Sequence, residues 1–125
     1  MAVLPIRDRR YLADHGFDFA EFDSPQRAIV LKGYELPSER YEAANADVLI
    51  VLPAGYPDSP PDMFYVLPWL RLTASRRYPN KADHPFEFNG QSWQRWSRHN
   101  NEWRPGIDGI WTMLRRIQNA LEVAA

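Results

Sequence analysis

The sequence contains no cysteine among its 125 residues. A chain without cysteine forms no disulfide, builds no thiolate metal site and has no thiol nucleophile of its own. Its three histidines are scattered along the chain, without the short spacings that are typical of a zinc site. We therefore expect neither a metal site nor a cofactor.

The chain also lacks an excess of one charge and a long apolar run. Fifteen basic residues nearly balance sixteen acidic ones, which removes the positive field of a nucleic-acid-binding or polybasic membrane protein. The first segment becomes charged at Arg7 and has no apolar run long enough for a signal peptide or a membrane span. These absences predict a cytoplasmic protein that binds neither nucleic acid nor membrane.

The apolar pattern predicts a single α+β domain over residues 1–125, a length that can bury one core. The predicted elements are a helix over 6–15 ended by Gly16, strands over 17–22, 27–31, 46–52 and 63–70, and a helix over 107–121 with Asp108 as its N-cap. We expect the strands to form a four-stranded antiparallel meander with the helices on one face.

Residues 78–106 show neither a helical nor a strand period. A stretch this long without regular structure inside a small domain is unusual and is generally functional or disordered. Its tryptophans, Trp93, Trp96 and Trp103, argue against disorder. We therefore predict a long, ordered active-site loop between the last strand and the carboxyl-terminal helix.

Four segments, in order, resemble the ubiquitin-conjugating enzyme fold. They are LIVLPAGYPDSPPDMFYVLP at 49–68, HPF at 84–86, NG at 89–90 and EWRPGIDGIWTMLRRIQNAL at 102–121. In that family the corresponding features are a strand that enters Tyr-Pro and Pro-Pro turns, a His-Pro-Asn signature, a dipeptide before the catalytic residue, and a Trp-x-Pro turn before a helix. Four ordered matches are far more specific than any single motif.

The patterns YPDSPPDMF and WSRHNNEWRPG are most similar to a bacterial branch of that superfamily. The resemblance implies three kinds of partner: a ubiquitin-like protein, an activating enzyme and a metalloprotease of the deubiquitinating type. It places activating-enzyme contact on the amino-terminal helix, and the turn from Tyr56 to Met63 is a further candidate contact surface.

The departures from the family concern its chemistry. A ubiquitin-conjugating enzyme holds the ubiquitin carboxyl terminus as a thioester on cysteine, which this chain lacks. Alignment from the HPF and NG segments puts the catalytic position near Trp93 and Gln94, and alignment back from Trp103 puts it near Arg95. The asparagine of the His-Pro-Asn signature corresponds to Phe86. None of these residues carries an acyl group.

The preferred hypothesis replaces the thiol by a hydroxyl and predicts an oxyester intermediate. Ser97 is the first candidate because His99 lies two residues away and a neutral imidazole can accept its proton. Arg98 is a candidate for stabilising the oxyanion. Ser92 is the second candidate nucleophile, since it lies one position from the aligned site.

A second hypothesis is a catalytically silent variant that binds a ubiquitin-like protein or partners an active enzyme, and the missing cysteine favours it. A third, a peptide-binding groove unrelated to ubiquitin, explains the prolines and aromatics but not the four ordered matches. Loop tryptophans can anchor a partner, although Trp103 also suits packing and His84 suits ordering its own loop. The candidate binding residues are Trp93, Trp96, Trp103, Tyr56 and His84.

Overall fold

The structure, a computed structural model, describes residues 3–99 and 102–125. In these ranges it contains two helices and six strands. They are α1 (Ile6–Asp14), β1 (Asp18–Phe22), β2 (Ala28–Glu35), β3 (Asn45–Val51), β4 (Phe64–Leu67), β5 (His84–Phe88), β6 (Gln91–Trp96) and α2 (Ile110–Val123). Both predicted helices and the four predicted strands are present with shifted bounds, which confirms the α+β class.

The strands form one antiparallel sheet in the order β1-β2-β3-β4-β6-β5. The first four follow chain order, as a meander requires. Strand β6 then pairs with β4, Tyr65 lying opposite Arg95, and β5 occupies the edge. The β5–β6 hairpin therefore joins the sheet through its second strand, β6, and its first strand, β5, lies outermost.

The predicted count of four strands and the predicted long loop over 78–106 are wrong, because residues 84–96 form the β5–β6 hairpin. Its turn is Asn89-Gly90, with φ of 49° and 80°, as a two-residue hairpin turn with two left-handed residues requires. No strand period is visible because the neighbours Trp93 and Gln94 are both buried, so β6 is covered on both faces. The Asn-Gly pair was the available signal.

Both helices pack on one face of the sheet and form the main core. Leu12 of α1 and Ile117 of α2 are fully buried there against side chains of the central strands. The sheet side chains of this core alternate along each strand, as one covered face requires. They include Ile29, Leu31, Val48, Ile50, Phe64, Val66 and Trp96.

A second, smaller core covers the opposite face. The Phe22 ring of β1 meets the Phe88 ring of β5 edge-on at 5.6 Å, although four strands separate β1 from β5 in the sheet order. The sheet is therefore strongly curled, and the β5–β6 hairpin folds over its outer face. The buried members of this core are Ala28, Val30, Leu49, Tyr65, Phe88 and Trp93.

Helix α2 begins differently from the prediction. Its N-cap is Gly109, not Asp108, and Gly109 has no side chain with which to cap. The Asp108 carboxylate instead accepts from the backbone N–H of Arg104 at 2.8 Å and from the Thr112 hydroxyl at 3.0 Å. Asp108 therefore stabilises the turn that precedes α2. At the start of α2, the backbone N–H of Ile110 donates to the carboxylate of Asp8 in α1.

Candidate functional site

Trp93 and Gln94, which one of the two sequence alignments predicts near the family's catalytic position, are interior side chains of β6. Trp93 is 3% exposed and belongs to the second core. Gln94 is fully buried, and its carboxamide accepts from the backbone N–H of Leu70 at 2.8 Å and donates to the carbonyls of Leu70 and Ala82 at 3.0 and 2.7 Å. Gln94 therefore fastens β6 to the chain that follows β4.

Arg95 and Ser92 complete the aligned region. Arg95 is half-buried and pairs with Tyr65 on one side and His84 on the other. Ser92 is exposed opposite Glu87 in the hairpin, and its carbonyl accepts from the Trp69 indole N–H at 3.0 Å. Three of the four side chains from 92 to 95 thus lie in packed or partly packed surroundings, and Ser92 alone among them is both exposed and nucleophilic in type.

Ser97 lies directly after β6 and is half-buried. Its backbone N–H donates to the Lys81 carbonyl at 3.0 Å, and its own carbonyl accepts from the Arg98 guanidinium at 3.0 Å. The main chain of Ser97 is therefore held on both sides. Its role as a nucleophile stays a prediction.

His99 is paired with Asp62, a residue of the turn before β4. The distances from His99 Nδ1 to the two carboxylate oxygens are 3.1 and 3.2 Å, and both side chains are 59% exposed. A carboxylate only accepts, so Nδ1 carries the proton and Nε2 is the nitrogen left to act on other groups. A carboxylate that orients an imidazole is one half of a catalytic triad, but within the described residues no hydrogen bond joins His99 to Ser97.

Arg98 and Arg116 both lie beside the end of β6, where they border one cavity. Arg98 lies over the Trp96 ring at 5.1 Å, a cation–π contact. Arg116 of α2 donates to the Arg98 carbonyl at 3.1 Å and to Met113 Sδ at 3.2 Å. Burial lowers the pKa of both arginines below the ordinary value, because a half-buried guanidinium loses hydration.

These side chains border a cavity of about 250 Å³ between the end of β6 and α2. Its lining combines basic and apolar side chains. The lining residues are Phe64, Arg98, His99, Met113, Arg116, Asn119, Ala120 and Val123.

The remaining tryptophans predicted to bind partners lie in packed positions. Trp96 is fully buried, stacks on Phe64 at a ring distance of 5.3 Å, and donates from its indole N–H to Gln94 at 3.1 Å. Trp103 is half-buried and donates to the Pro57 carbonyl at 2.8 Å. Their roles in partner binding are untested predictions, and in the free chain these rings hold the core and the turn.

Tyr56 and His84 lie in contrasting surroundings. Tyr56 is buried, its ring is 6.2 Å from Trp103, and its hydroxyl donates to Asp8. Burial first, and then the neighbouring carboxylate, raise the pKa of Tyr56. His84 is exposed on the edge strand, 3.0 Å from the Asp83 carboxylate. Tyr56 therefore links the turn to α1, and only His84 is freely accessible.

Sequence reasoning missed three residues that organise this region: Asp62, Arg116 and Asp8. Each is a polar residue far along the chain from its partner, and 37 residues separate Asp62 from His99. Asp62 lay inside the quoted YPDSPPD motif, but nothing in the motif pointed to His99. No local sequence signal identifies these pairs.

Two classes of feature are missing from residues 3–99 and 102–125. No three carboxylate, histidine or cysteine side chains converge there as ligands for a metal ion. Neither helix in the described part of the chain has the length and apolar character needed to cross a membrane.

Residues 4–124 match the model of the family described as Prokaryotic E2 family E. The chain belongs to this family. E2 denotes the ubiquitin-conjugating enzymes, so the resemblance seen in the four sequence segments is confirmed, together with the absence of cysteine. Comparison with curated proteins gave no match, and comparison with solved structures gave none either. In this E2 family E chain Trp93 and Gln94, predicted near the catalytic position, are both buried on β6, and Arg95, the other predicted residue, is half-buried.

Proposed function

We propose that this E2 family E chain acts in a bacterial ubiquitin-like modification pathway by binding a ubiquitin-like protein without forming a covalent bond to it. One observation carries the proposal. Trp93 and Gln94, two of the three residues that the sequence alignments predict near the catalytic cysteine position, are 3% and 0% exposed and take part in packing and hydrogen bonding. An acyl carrier needs a nucleophile that is reachable by its donor, and these residues are neither nucleophilic nor reachable.

The surfaces for other pathway components follow from the family. We propose that an activating enzyme contacts α1 and the adjacent turn, because Asp8 and Tyr56 join these two segments into one surface. Ile6 of α1 presents an apolar side chain there that is 59% exposed. A deubiquitinating metalloprotease is a further proposed member of the pathway.

A second candidate function, hydroxyl-dependent transfer, is favoured by the Asp62–His99 pair. Asp62 fixes the Nδ1 proton of His99 and leaves Nε2 able to accept a proton. Ser97 and Ser92 are the candidate hydroxyls, and Arg98 would stabilise the oxyanion. This route requires a hydrogen bond between the His99 imidazole and the Ser97 hydroxyl. The described residues contain no such hydrogen bond.

A binding measurement distinguishes both candidate functions from a role that involves no ubiquitin-like protein. We expect titration calorimetry to show saturable binding between the chain and its cognate ubiquitin-like protein, with no activating enzyme or ATP present. Ser97→Ala should bind equally well, because the proposal gives the hydroxyl no bond to make. Ser38→Ala, at an exposed serine outside the candidate site, is the matched control. Absence of binding by the unaltered chain, or its loss in Ser97→Ala alone, would contradict the proposal.

A further inference from the structure

Arg98 and Arg116 are half-buried cations with no carboxylate of the described residues at ion-pair distance. Within the described residues neither forms an ion pair; their guanidinium groups meet backbone carbonyls, the Trp96 ring and the Met113 sulfur. Removing a cation from water is unfavourable unless an anion or several acceptors compensate. Two such groups at the border of one cavity are a pattern that an incoming anion would complete.

The charge around the cavity fits a singly charged ligand. Asp62 lies close enough to Arg116 to oppose the burial effect on its pKa, and it also holds His99. The two guanidinium groups and the Asp62 carboxylate together carry a net charge of one positive. A carboxylate therefore matches the cavity better than a doubly charged phosphate, which the Asp62 carboxylate would repel.

The shape and lining of the cavity narrow the ligand further. At about 250 Å³ it is smaller than the usual pocket for a drug-sized molecule. Phe64, Met113 and Val123 supply an apolar wall, and Asn119 supplies an amide that both donates and accepts. A terminal carboxylate next to a peptide group and a small side chain has this combination of charge, hydrogen-bonding groups and apolar surface.

We propose that this cavity binds the free carboxyl terminus of a polypeptide, with Arg116 and Arg98 holding the carboxylate. Arginine presents paired N–H donors in a planar fork that matches the two oxygens of a carboxylate. The inference rests on the proposed function for one point, that the polypeptide is the ubiquitin-like protein. Recognition of the terminus then needs no covalent bond.

The direct test is an NMR titration of the full chain with N-acetylglycylglycine and, separately, with its carboxyl-terminal amide. We expect the acid to shift the Arg116 Nε–H and Met113 methyl signals saturably, and the amide to bind at least about tenfold more weakly, since it offers no charged acceptor. Equal binding of acid and amide, or no shift with either, overturns the proposal. Tighter binding of inorganic phosphate than of the acid also overturns it.

The matched variants are Arg116→Gln and Arg115→Gln, neighbours on α2 of which only Arg116 borders the cavity. Arg115 is exposed. We expect Arg116→Gln to weaken binding of the acid about tenfold and Arg115→Gln to leave it unchanged. Equal effects of the two variants would show a general charge effect and overturn the site. The acid and amide comparison on the unaltered chain holds even if Arg116→Gln fails to fold.

The full-length ubiquitin-like protein separates this inference from the proposed function. Binding of the dipeptide acid without binding of the ubiquitin-like protein supports the cavity and contradicts the proposed function. Binding of the ubiquitin-like protein that is insensitive to Arg116→Gln and to removal of its last two residues supports the proposed function and overturns the cavity.

Discussion

Replacing Asp8 with alanine is expected to lower the free energy of unfolding by about 3 kcal/mol, because two buried donors lose their acceptor at once. Asp8 is 2% exposed, and its carboxylate accepts from the Tyr56 hydroxyl at 2.5 Å and from the backbone N–H of Ile110. The substitution removes the hydrogen bonds that join α1 to the turn at Tyr56 and to the first residue of α2. Urea unfolding followed by tryptophan fluorescence measures the change.

Asp14→Ala is the control for this substitution. Asp14 lies on the same helix and is exposed, so its removal should change stability by less than about 0.5 kcal/mol. A loss for Asp8→Ala no larger than that for Asp14→Ala would contradict the role given to the buried carboxylate.

The pH dependence of the free energy of unfolding provides a second test of the role of the buried Asp8 carboxyl group. Burial raises the pKa of Asp8 above its ordinary value of 3.8, so the native state keeps the proton to a higher pH than the unfolded chain does. The contribution of Asp8 to stability is therefore fully present below 3.8 and falls as pH rises through the folded value. Asp8→Asn does not titrate. We expect the stability of the unaltered chain relative to Asp8→Asn to decrease with rising pH, and an increase would contradict the assignment.

Replacing Gln94 with leucine is expected to lower the free energy of unfolding by about 4 kcal/mol, although the two side chains are similar in volume. The loss comes from polar groups left buried without partners. Gln94 accepts from the Leu70 backbone N–H and the Trp96 indole, and donates to the Leu70 and Ala82 carbonyls. Leucine satisfies none of them.

The matched control is Gln91→Leu, at an exposed position of the same strand. We expect a change within about 0.5 kcal/mol for this variant. Thermal unfolding of both variants measures the difference. Similar stabilities for Gln94→Leu and Gln91→Leu would mean that the aligned position is not a structural one, and the argument from its burial would lose its basis.

The elements that the sequence predicted are those with a clear period and one buried face. Helix α2 places Ile110, Leu114, Ile117 and Leu121 at helical spacing, and all four are buried. The hairpin of β5 and β6 was missed because the curled sheet covers both faces of β6. A strand enclosed in this way has no alternating pattern to recognise.

The candidate site was predictable in its location and not in its contacts. The pattern drew attention to Ser97, Arg98 and His99, and the two latter border the cavity beside α2. Their partners Asp62 and Arg116 come from other elements, brought close only by the packing of α2 and the turn before β4. Such long-range pairs depend on tertiary geometry, which local spacing does not encode.

The measurement that tests the central claim most directly is the intact mass of this chain after incubation with its activating enzyme, its ubiquitin-like protein and ATP. Non-covalent binding predicts that the activating enzyme becomes charged while this chain keeps its unmodified mass. An adduct on this chain that survives reducing agent, disappears with hydroxylamine and is absent from Ser97→Ala would contradict the account and establish an oxyester carrier.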